Sequence, residues 1–163
     1  LAESIVAMIP LWVAPNSITL FGLLWMITSY CIIWYYCPNL DEALHNDTTD
    51  DASSSSVVPQ WIFLFNCIAM LCYQTLDNMD GKQARRTKSS SPLGLLFDHG
   101  CDSFNSILGS ANWICAMGVH PKELFQIGVV AFAPMIAFYV ATWEEYYTGT
   151  LILPIINGPS EGL

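Results

Sequence analysis

Four long apolar stretches constrain the fold of this 163-residue chain more than any other feature. A run of about 17 to 25 predominantly apolar residues crosses the hydrocarbon core of a bilayer as an α-helix. The stretches are Ile18–Tyr36, Val58–Leu76, Phe104–Val119 and Leu124–Trp143. The third is short, and we expect its helix to begin near Asp98. The chain is therefore predicted to be an all-α, polytopic membrane bundle with spans at about 18–36, 58–76, 98–119 and 124–143.

Composition agrees with a membrane protein rather than with the alternative, the buried core helices of a soluble one. Hydrophobic residues make up 53% of the chain and charged residues only 12%, with a mean hydropathy of +0.43. These values lie outside the usual range of soluble domains. The net charge of −9 argues against a nucleic-acid partner, which would require a basic surface. The lipid bilayer is thus the first expected partner.

The residues before the first span carry apolar side chains with a helical spacing. Ile5, Ile9 and Val13 recur every four residues within Leu1–Val13. This pattern predicts an N-terminal interfacial helix, and an extension of the first span is the alternative. Because the chain starts at Leu1 without a methionine, we expect it to be a fragment of a longer protein.

The distribution of basic residues predicts the orientation of the bundle. Four of the five lysines and arginines lie between the second and third spans: Lys82, Arg85, Arg86 and Lys88. The positive-inside rule places that segment in the cytosol and residues 37–57 in the lumen. The luminal loop is acidic and serine-rich, so it is predicted to be disordered. It contains the sequon Asn46-Asp47-Thr48, which predicts N-glycosylation at Asn46 in a secretory compartment.

Eight residues within positions 77–102 form the pattern D-x2-D-G-x2-A-R-x8-G-x3-D-x3-D. They are Asp77, Asp80, Gly81, Ala84, Arg85, Gly94, Asp98 and Asp102. The aspartates are three apart in the first pair and four apart in the second, so each pair faces one way on a helix. Two such helices facing each other would form an all-oxygen site for hard divalent cations. Ionisable side chains beside lipid are candidates for function, and bound cations would compensate their charge.

The residues between the two aspartate pairs suit a phosphate-bearing ligand. Gly81 and Ala84 have little or no side chain, which lets a ligand approach the backbone closely. The guanidinium group of Arg85 can donate two charge-assisted hydrogen bonds to a phosphate. The other basic residues of this segment would attract an anionic substrate, or they serve only topology and contact with lipid headgroups. Two bound cations would also polarise a pyrophosphate.

This pattern resembles the motif of the CDP-alcohol phosphotransferase family at all eight positions. Five short segments in and around this pattern resemble sequences of its eukaryotic choline/ethanolamine phosphotransferase branch: KQARRT, SPLG, FDHGCD, PNSIT and TWEEYY. The resemblance implies a membrane-bound transferase, in the endoplasmic reticulum or Golgi, whose active site faces the cytosol. It implies transfer of phosphocholine or phosphoethanolamine from CDP-choline or CDP-ethanolamine to diacylglycerol, which yields phosphatidylcholine or phosphatidylethanolamine and CMP. It also implies a homodimer.

The resemblance assigns roles to individual residues. Asp77, Asp80, Asp98 and Asp102 would hold two Mg²⁺ or Mn²⁺ ions. Gly81, Ala84 and Arg85 would line the CDP pocket, with Asn16 of the first span as a further contact. The general base toward the diacylglycerol hydroxyl stays open among Asp102, His99 and Glu144, because a metal-bound carboxylate is a poor base.

Two features depart from the branch. Leu95 replaces a glutamate that the branch usually has after the motif glycine, and the chain shows fewer spans than its members do. We therefore expect residues 1–163 to be an N-terminal part of the membrane domain. Two other readings stay open: a truncated, non-catalytic membrane protein that binds CDP and metal, and a family member that uses another alcohol such as inositol or glycerol phosphate.

Overall fold

A computed structural model of the chain describes residues 9–38, 58–119 and 123–149. Within these ranges the regular structure is entirely helical, which confirms the all-α prediction for this part of the chain. The helices are α1 (Pro15–Tyr36), α2 (Gln60–Thr87), α3 (Pro92–Met117) and α4 (Leu124–Thr148). Residues 39–57 of the predicted luminal loop, which include Asn46, lie outside the described residues, so glycosylation stays a prediction.

Local sequence signals account for the helix boundaries. Pro15 and Pro92 occupy the first turns of α1 and α3, where proline costs no helical hydrogen bond. Ser91 caps α3, since its Oγ accepts a hydrogen bond from the Gly94 backbone N–H at 3.1 Å. The last three helices end at residues in the left-handed conformation, Lys88, Gly118 and Gly149. Helix α4 runs through Pro134 without ending there.

Two of the four helices, α1 and α4, are long and apolar enough to cross a membrane by their own composition. Helix α2 differs because charged residues occupy its last third, beginning at Asp77. Its 28 residues correspond to a length of about 42 Å, more than the hydrocarbon core requires. The predicted span 58–76 is thus the apolar part of a longer helix, and the four-span count stays a prediction.

Helix α1 packs against both α2 and α3, and α4 packs against α3. A glycine permits the close approach of α1 to α2. A Cβ atom added at Gly22 would lie 3.3 Å from Cδ2 of Tyr73 and 3.5 Å from Cβ of Leu76. Met26, Ala69 and Tyr73 belong to the buried cluster beside this contact, together with Leu23 and Cys101. The close packing brings the motif-bearing half of α2 against the first turns of α1.

A buried polar network links the first three helices in the middle of the bundle. Ser29 donates to Oδ1 of Asn66 at 3.0 Å, and Asn112 donates through Nδ2 to the same oxygen at 2.9 Å. Hydrogen bonds of this kind stabilise helix association in lipid by about 0.6 to 2 kcal/mol each. One residue comes from each of α1, α2 and α3, so the network defines the register of the three helices.

The predicted interfacial helix over Leu1–Val13 is described only from Ile9 onward. Ile9–Val13 form no helix but a turn, which is closed by the bond from the Val13 N–H to the Pro10 carbonyl at 3.1 Å. Residues 1–8 lie outside the described part of the chain. The prediction is therefore wrong for its last five residues, because Pro10 removes a backbone donor at that point.

Helix α2 holds this turn in place through its charged end. The side chain of Gln83 is fully buried and donates to the carbonyls of Pro10 at 3.1 Å and Val13 at 3.3 Å. Arg86 donates to the Ile9 carbonyl at 2.7 Å. The start of α1 is thereby fixed against the segment of α2 that carries the motif.

Candidate metal and nucleotide site

Helices α2 and α3 bring three of the four motif aspartates together. One carboxylate oxygen from each of Asp77, Asp98 and Asp102 lies within 4.8 Å of the other two. Asp77 projects from α2, whereas Asp98 and Asp102 follow one another on the same face of α3. Three carboxylate oxygens at this separation can share one hard divalent cation.

Asp80 lies at the edge of this cluster and contacts α1. It is buried, and Thr19 donates a hydrogen bond from Oγ1 to its Oδ2. Its carboxyl group also lies within hydrogen-bonding reach of Asp98. Asp80 therefore connects the three clustered carboxylates to the start of α1. Thr19 lies about one helical turn after Asn16 on that helix.

The chemistry of the cluster fits a cation. Oδ1 of Asp77 and Oδ1 of Asp98 are buried and have no hydrogen-bond partner among the described residues. A buried carboxylate oxygen without a partner is costly, and a divalent cation with oxygen ligands removes that cost. The carboxylate of Asp102, the third member of the cluster, is oriented by Tyr73, whose hydroxyl donates a hydrogen bond to Oδ1 of Asp102 at 2.7 Å. Asp77, Asp98 and Asp102 would therefore hold a metal ion.

Replacement of Tyr73 by phenylalanine is expected to weaken metal binding about tenfold, because partners that orient a ligand contribute about 10- to 100-fold to metal affinity. Titration of the purified protein with Mn²⁺, followed by electron paramagnetic resonance, measures the change. Tyr139→Phe is the matched control, since Tyr139 is exposed on α4. Equal Mn²⁺ affinity for both variants would show that the Tyr73 hydroxyl does not support the cluster.

A cavity of about 380 Å³ opens beside the cluster. It is lined by the first turn of α1, the motif-bearing end of α2, the segment that joins α2 to α3, and the first turns of α3. The lining residues include Asn16, Thr19, Asp80, Gly81, Ala84, Arg85 and Asp98. All four residues expected to contact a nucleotide thus line one cavity that also contains two of the expected metal ligands. The other two expected metal ligands, Asp77 and Asp102, do not line this cavity.

Small residues keep the floor of this cavity accessible. A Cβ atom added at Gly81 would meet no atom within 4 Å. Arg85 is exposed one turn further along α2 and contributes a cation to the same cavity. Gly94 lies where α3 passes Asn16, whose Oδ1 would be 3.6 Å from an added Cβ. An elongated anionic ligand can therefore lie along the backbone of α2 between Arg85 and the carboxylates.

The structure separates the three candidates for the general base. Asp102 belongs to the cluster and accepts from Tyr73. Nε2 of His99 lies 3.6 Å from Oε2 of Glu145 on α4. Glu144 is exposed, and the structure does not bring it to the cluster. Consecutive residues on a helix point about 100° apart, so only one of Glu144 and Glu145 can face α3.

Sequence reasoning missed three residues that the structure places here. Tyr73 precedes Asp77 by four residues, and Thr19 follows Asn16 by three, so helical spacing alone could have placed both on the relevant faces. Glu145 is different, because its face is set by the packing of α4 on α3. The contact between the rings of His99 and Phe138, with centroids 6.1 Å apart, marks that face.

The fold and site together define a helical protein in which a cluster of carboxylates that could hold a metal ion adjoins a cavity lined by an arginine. Residues 12–152 match the family described as CDP-alcohol phosphatidyltransferase. The chain belongs to this family, and the membership supports a transferase. The resemblance seen in the motif is thereby confirmed.

Individual relatives agree with this assignment. The chain is 43% identical over 162 residues to choline/ethanolaminephosphotransferase 1 of Arabidopsis thaliana, a match that covers 97% of the chain and 36% of the relative. It is 41% identical over 145 residues to cholinephosphotransferase 1 of Rattus norvegicus, with 88% and 32% covered. The corresponding protein of Xenopus laevis is 41% identical over 155 residues, with 94% and 34% covered. The chain thus spans about a third of the length of these relatives.

Proposed function

We propose that the chain carries the catalytic site of an enzyme that transfers phosphocholine or phosphoethanolamine from a CDP-alcohol to diacylglycerol. The observation that carries the proposal is the cluster of Asp77, Asp98 and Asp102 beside a cavity lined by Arg85. The family membership and the names of the relatives support the same reaction. The cofactor would be Mg²⁺ or Mn²⁺, as two ions, with Asp80 as a further ligand.

The residues of the site account for each part of this reaction. The diacylglycerol hydroxyl oxygen attacks the phosphorus that bears the amino alcohol, and the bond from that phosphorus to the oxygen shared with CMP breaks. CMP leaves with the electron pair, and the hydroxyl proton passes to a base. Arg85 would bind and orient the pyrophosphate through charge-assisted hydrogen bonds. Bound cations would supply positive charge to the departing phosphate.

The base would be Asp102 or His99. Asp102 adjoins the metal-accepting cluster, and its hydrogen bond from Tyr73 holds the carboxylate in one orientation. His99 follows Asp98 directly and is free of the three-carboxylate cluster, so its imidazole could accept a proton without competing with a cation. The exposed position of Glu144 makes it the weakest of the three candidates.

Residues 1–163 would then be part of a membrane domain with four spans, embedded in the endoplasmic reticulum or Golgi membrane. The basic segment at the end of α2 supports a cytosolic active site, where a water-soluble CDP-alcohol can meet a lipid. Asp77 and Asp80 lie beyond the apolar part of α2, and Asp98 and Asp102 lie in the first turns of α3, which agrees with a site near the membrane surface. Assembly as a homodimer is part of the same proposal.

Radiolabelled substrate tests the proposal directly. Microsomes from cells that express this chain would receive labelled CDP-choline or CDP-ethanolamine, in separate reactions, together with diacylglycerol and Mg²⁺. We expect labelled phospholipid that depends on Mg²⁺ and exceeds the amount made by microsomes without the chain. Two labels tested side by side also report headgroup preference. No product with either label would contradict catalysis by this chain.

A second candidate is a non-catalytic protein that binds CDP and metal. The carboxylate cluster and the adjoining cavity would serve this role equally, since binding of CDP and a cation requires no turnover. Binding of CDP and Mn²⁺ to the purified chain, with no labelled lipid formed, would support this candidate.

A further inference from the structure

Gln83 belongs to the motif segment of α2 but does not line the cavity beside the carboxylates, which is the nucleotide cavity of the proposed function. Its neighbours Gly81, Ala84 and Arg85 line that cavity, whereas the side chain of Gln83 is fully buried. Its Nε2 donates two hydrogen bonds, to backbone carbonyls that lie 73 and 70 positions earlier in the chain. Gln83 therefore joins α2 to the segment that precedes α1.

Packing alone does not account for an amide at this position. Oε1 of Gln83 is buried and has no hydrogen-bond partner among residues 9–38, 58–119 and 123–149. A buried acceptor without a partner is costly. Methionine has a similar length and volume, so it would fill the same space and leave no acceptor unpaired. What the amide adds is the pair of hydrogen bonds to the carbonyls of Pro10 and Val13.

The start of α1 depends on these hydrogen bonds because it has no capping side chain of its own. Ala14 occupies the N-cap position with an extended backbone, and its side chain accepts no hydrogen bond from the first turn. The chain enters the helix through Val13, whose carbonyl accepts from Gln83 at 3.3 Å. The direction in which α1 leaves the preceding turn is therefore fixed from α2.

The first turn of α1 forms one wall of the nucleotide cavity. Ala14, Pro15 and Asn16 line it, and Asn16 is the residue of α1 that is expected to contact the nucleotide. Asn16 also lies close to α3, since its Oδ1 would be 3.6 Å from a Cβ atom added at Gly94. A shift of this turn away from α2 would displace Asn16 and widen the cavity.

We propose that Gln83 is a positioning residue for the nucleotide: its two hydrogen bonds hold the first turn of α1 so that Asn16 meets the ligand. The inference rests on the proposed function, which it extends to a residue outside the cavity. The carboxylate cluster is carried by α2 and α3 and does not include the first turn of α1. Loss of the amide therefore weakens nucleotide binding and leaves cation binding intact.

Gln83→Met tests this role by binding alone, without turnover. The purified chain in lipid nanodiscs would be titrated with CDP in the presence of Mn²⁺ by calorimetry, and with Mn²⁺ alone by electron paramagnetic resonance. We expect Gln83→Met to bind CDP about tenfold more weakly, the loss expected for one misplaced hydrogen bond, and to bind Mn²⁺ like the wild type. Hydrogen exchange measured by mass spectrometry should become faster in the first turn of α1.

A second variant separates positioning from packing. Gln83→Asn keeps the amide but shortens the side chain, so its Nε2 equivalent no longer reaches the two carbonyls, and CDP binding should weaken as in Gln83→Met. Gln74→Met is the matched control, since Gln74 lies on the same helix and does not line the nucleotide cavity. It is expected to bind both CDP and Mn²⁺ like the wild type.

The outcomes distinguish this inference from the proposed function. If the wild type binds CDP and Gln83→Met binds it equally well, the positioning role is overturned and the nucleotide cavity stands. If both Gln83 variants lose CDP and Mn²⁺ binding together, Gln83 supports the fold as a whole and the positioning role is again overturned. If the wild type binds Mn²⁺ but no CDP, the nucleotide cavity of the proposed function is refuted, and the role of Gln83 with it.

Discussion

Asp98→Asn is expected to lower the rate of phospholipid formation by about 10²- to 10³-fold, which is the cost of losing one electrostatic contact to a transition state. The substitution keeps the size of the side chain and removes its charge. Asp98 belongs to the three-carboxylate cluster and also lines the nucleotide cavity. Its Oδ1 is buried without a hydrogen-bond partner in the described part of the chain. A bound cation would compensate the cost of burying this oxygen.

The measurement is the initial rate with labelled CDP-alcohol over a range of Mg²⁺ concentrations, together with Mn²⁺ binding by electron paramagnetic resonance. Glu123→Gln is the control for a carboxylate-to-amide change away from the cluster, since Glu123 is exposed before the first turn of α4. We expect both the rate and the Mn²⁺ affinity to fall in Asp98→Asn only. If this variant bound Mn²⁺ as tightly as the wild type does, Asp98 would not be a ligand of the metal ion.

Arg85→Ala is expected to raise the KM for the CDP-alcohol about 10- to 100-fold. A hydrogen bond to a charged group contributes about 1.5 to 3 kcal/mol, and each 1.4 kcal/mol corresponds to a factor of about ten. Arg85 is exposed on the wall of the nucleotide cavity, so its removal should leave the helix intact. Arg85→Lys should give an intermediate value, because lysine keeps the charge but not the planar fork.

Steady-state kinetics with each substrate varied in turn separates this role from a general effect. The KM for diacylglycerol should stay unchanged in Arg85→Ala, because the role proposed for Arg85 is confined to the pyrophosphate of the CDP-alcohol. Lys82→Ala is the matched control: Lys82 comes from the same segment of α2 but does not line the cavity. An equal rise in KM for Lys82→Ala and Arg85→Ala would mean that the segment acts through its overall charge alone.

The helical framework and the composition of the site followed from local patterns. The run Ile18–Tyr36 predicted a helix, and α1 begins only three residues earlier, at the proline that favours a first helical turn. The spacing of Asp98 and Asp102 predicted a shared face of α3. These predictions rest on residues close in sequence, whose relative directions are determined by the geometry of the helix itself.

The contacts that the sequence did not reveal join distant segments. Asp80 is predicted to act with Asp77 as a metal ligand, and in the structure it also accepts a hydrogen bond from Thr19, 61 positions away on another helix. Thr19 reaches it because Gly22 lets α1 pack closely against α2. Nothing in the local pattern around either residue indicates which face of α1 meets α2.

The sequence by itself therefore determined a helical membrane-type protein with four carboxylates, small residues and an arginine in family-specific spacing. Only the tertiary structure decided that Asp77, Asp98 and Asp102 share one cation-sized space, and that Glu145 rather than Glu144 faces His99. The physical reason is that helix rotation and crossing depend on close packing between distant side chains. Backbone geometry sets the angle between neighbours on one helix, but packing sets the direction in which the whole helix faces.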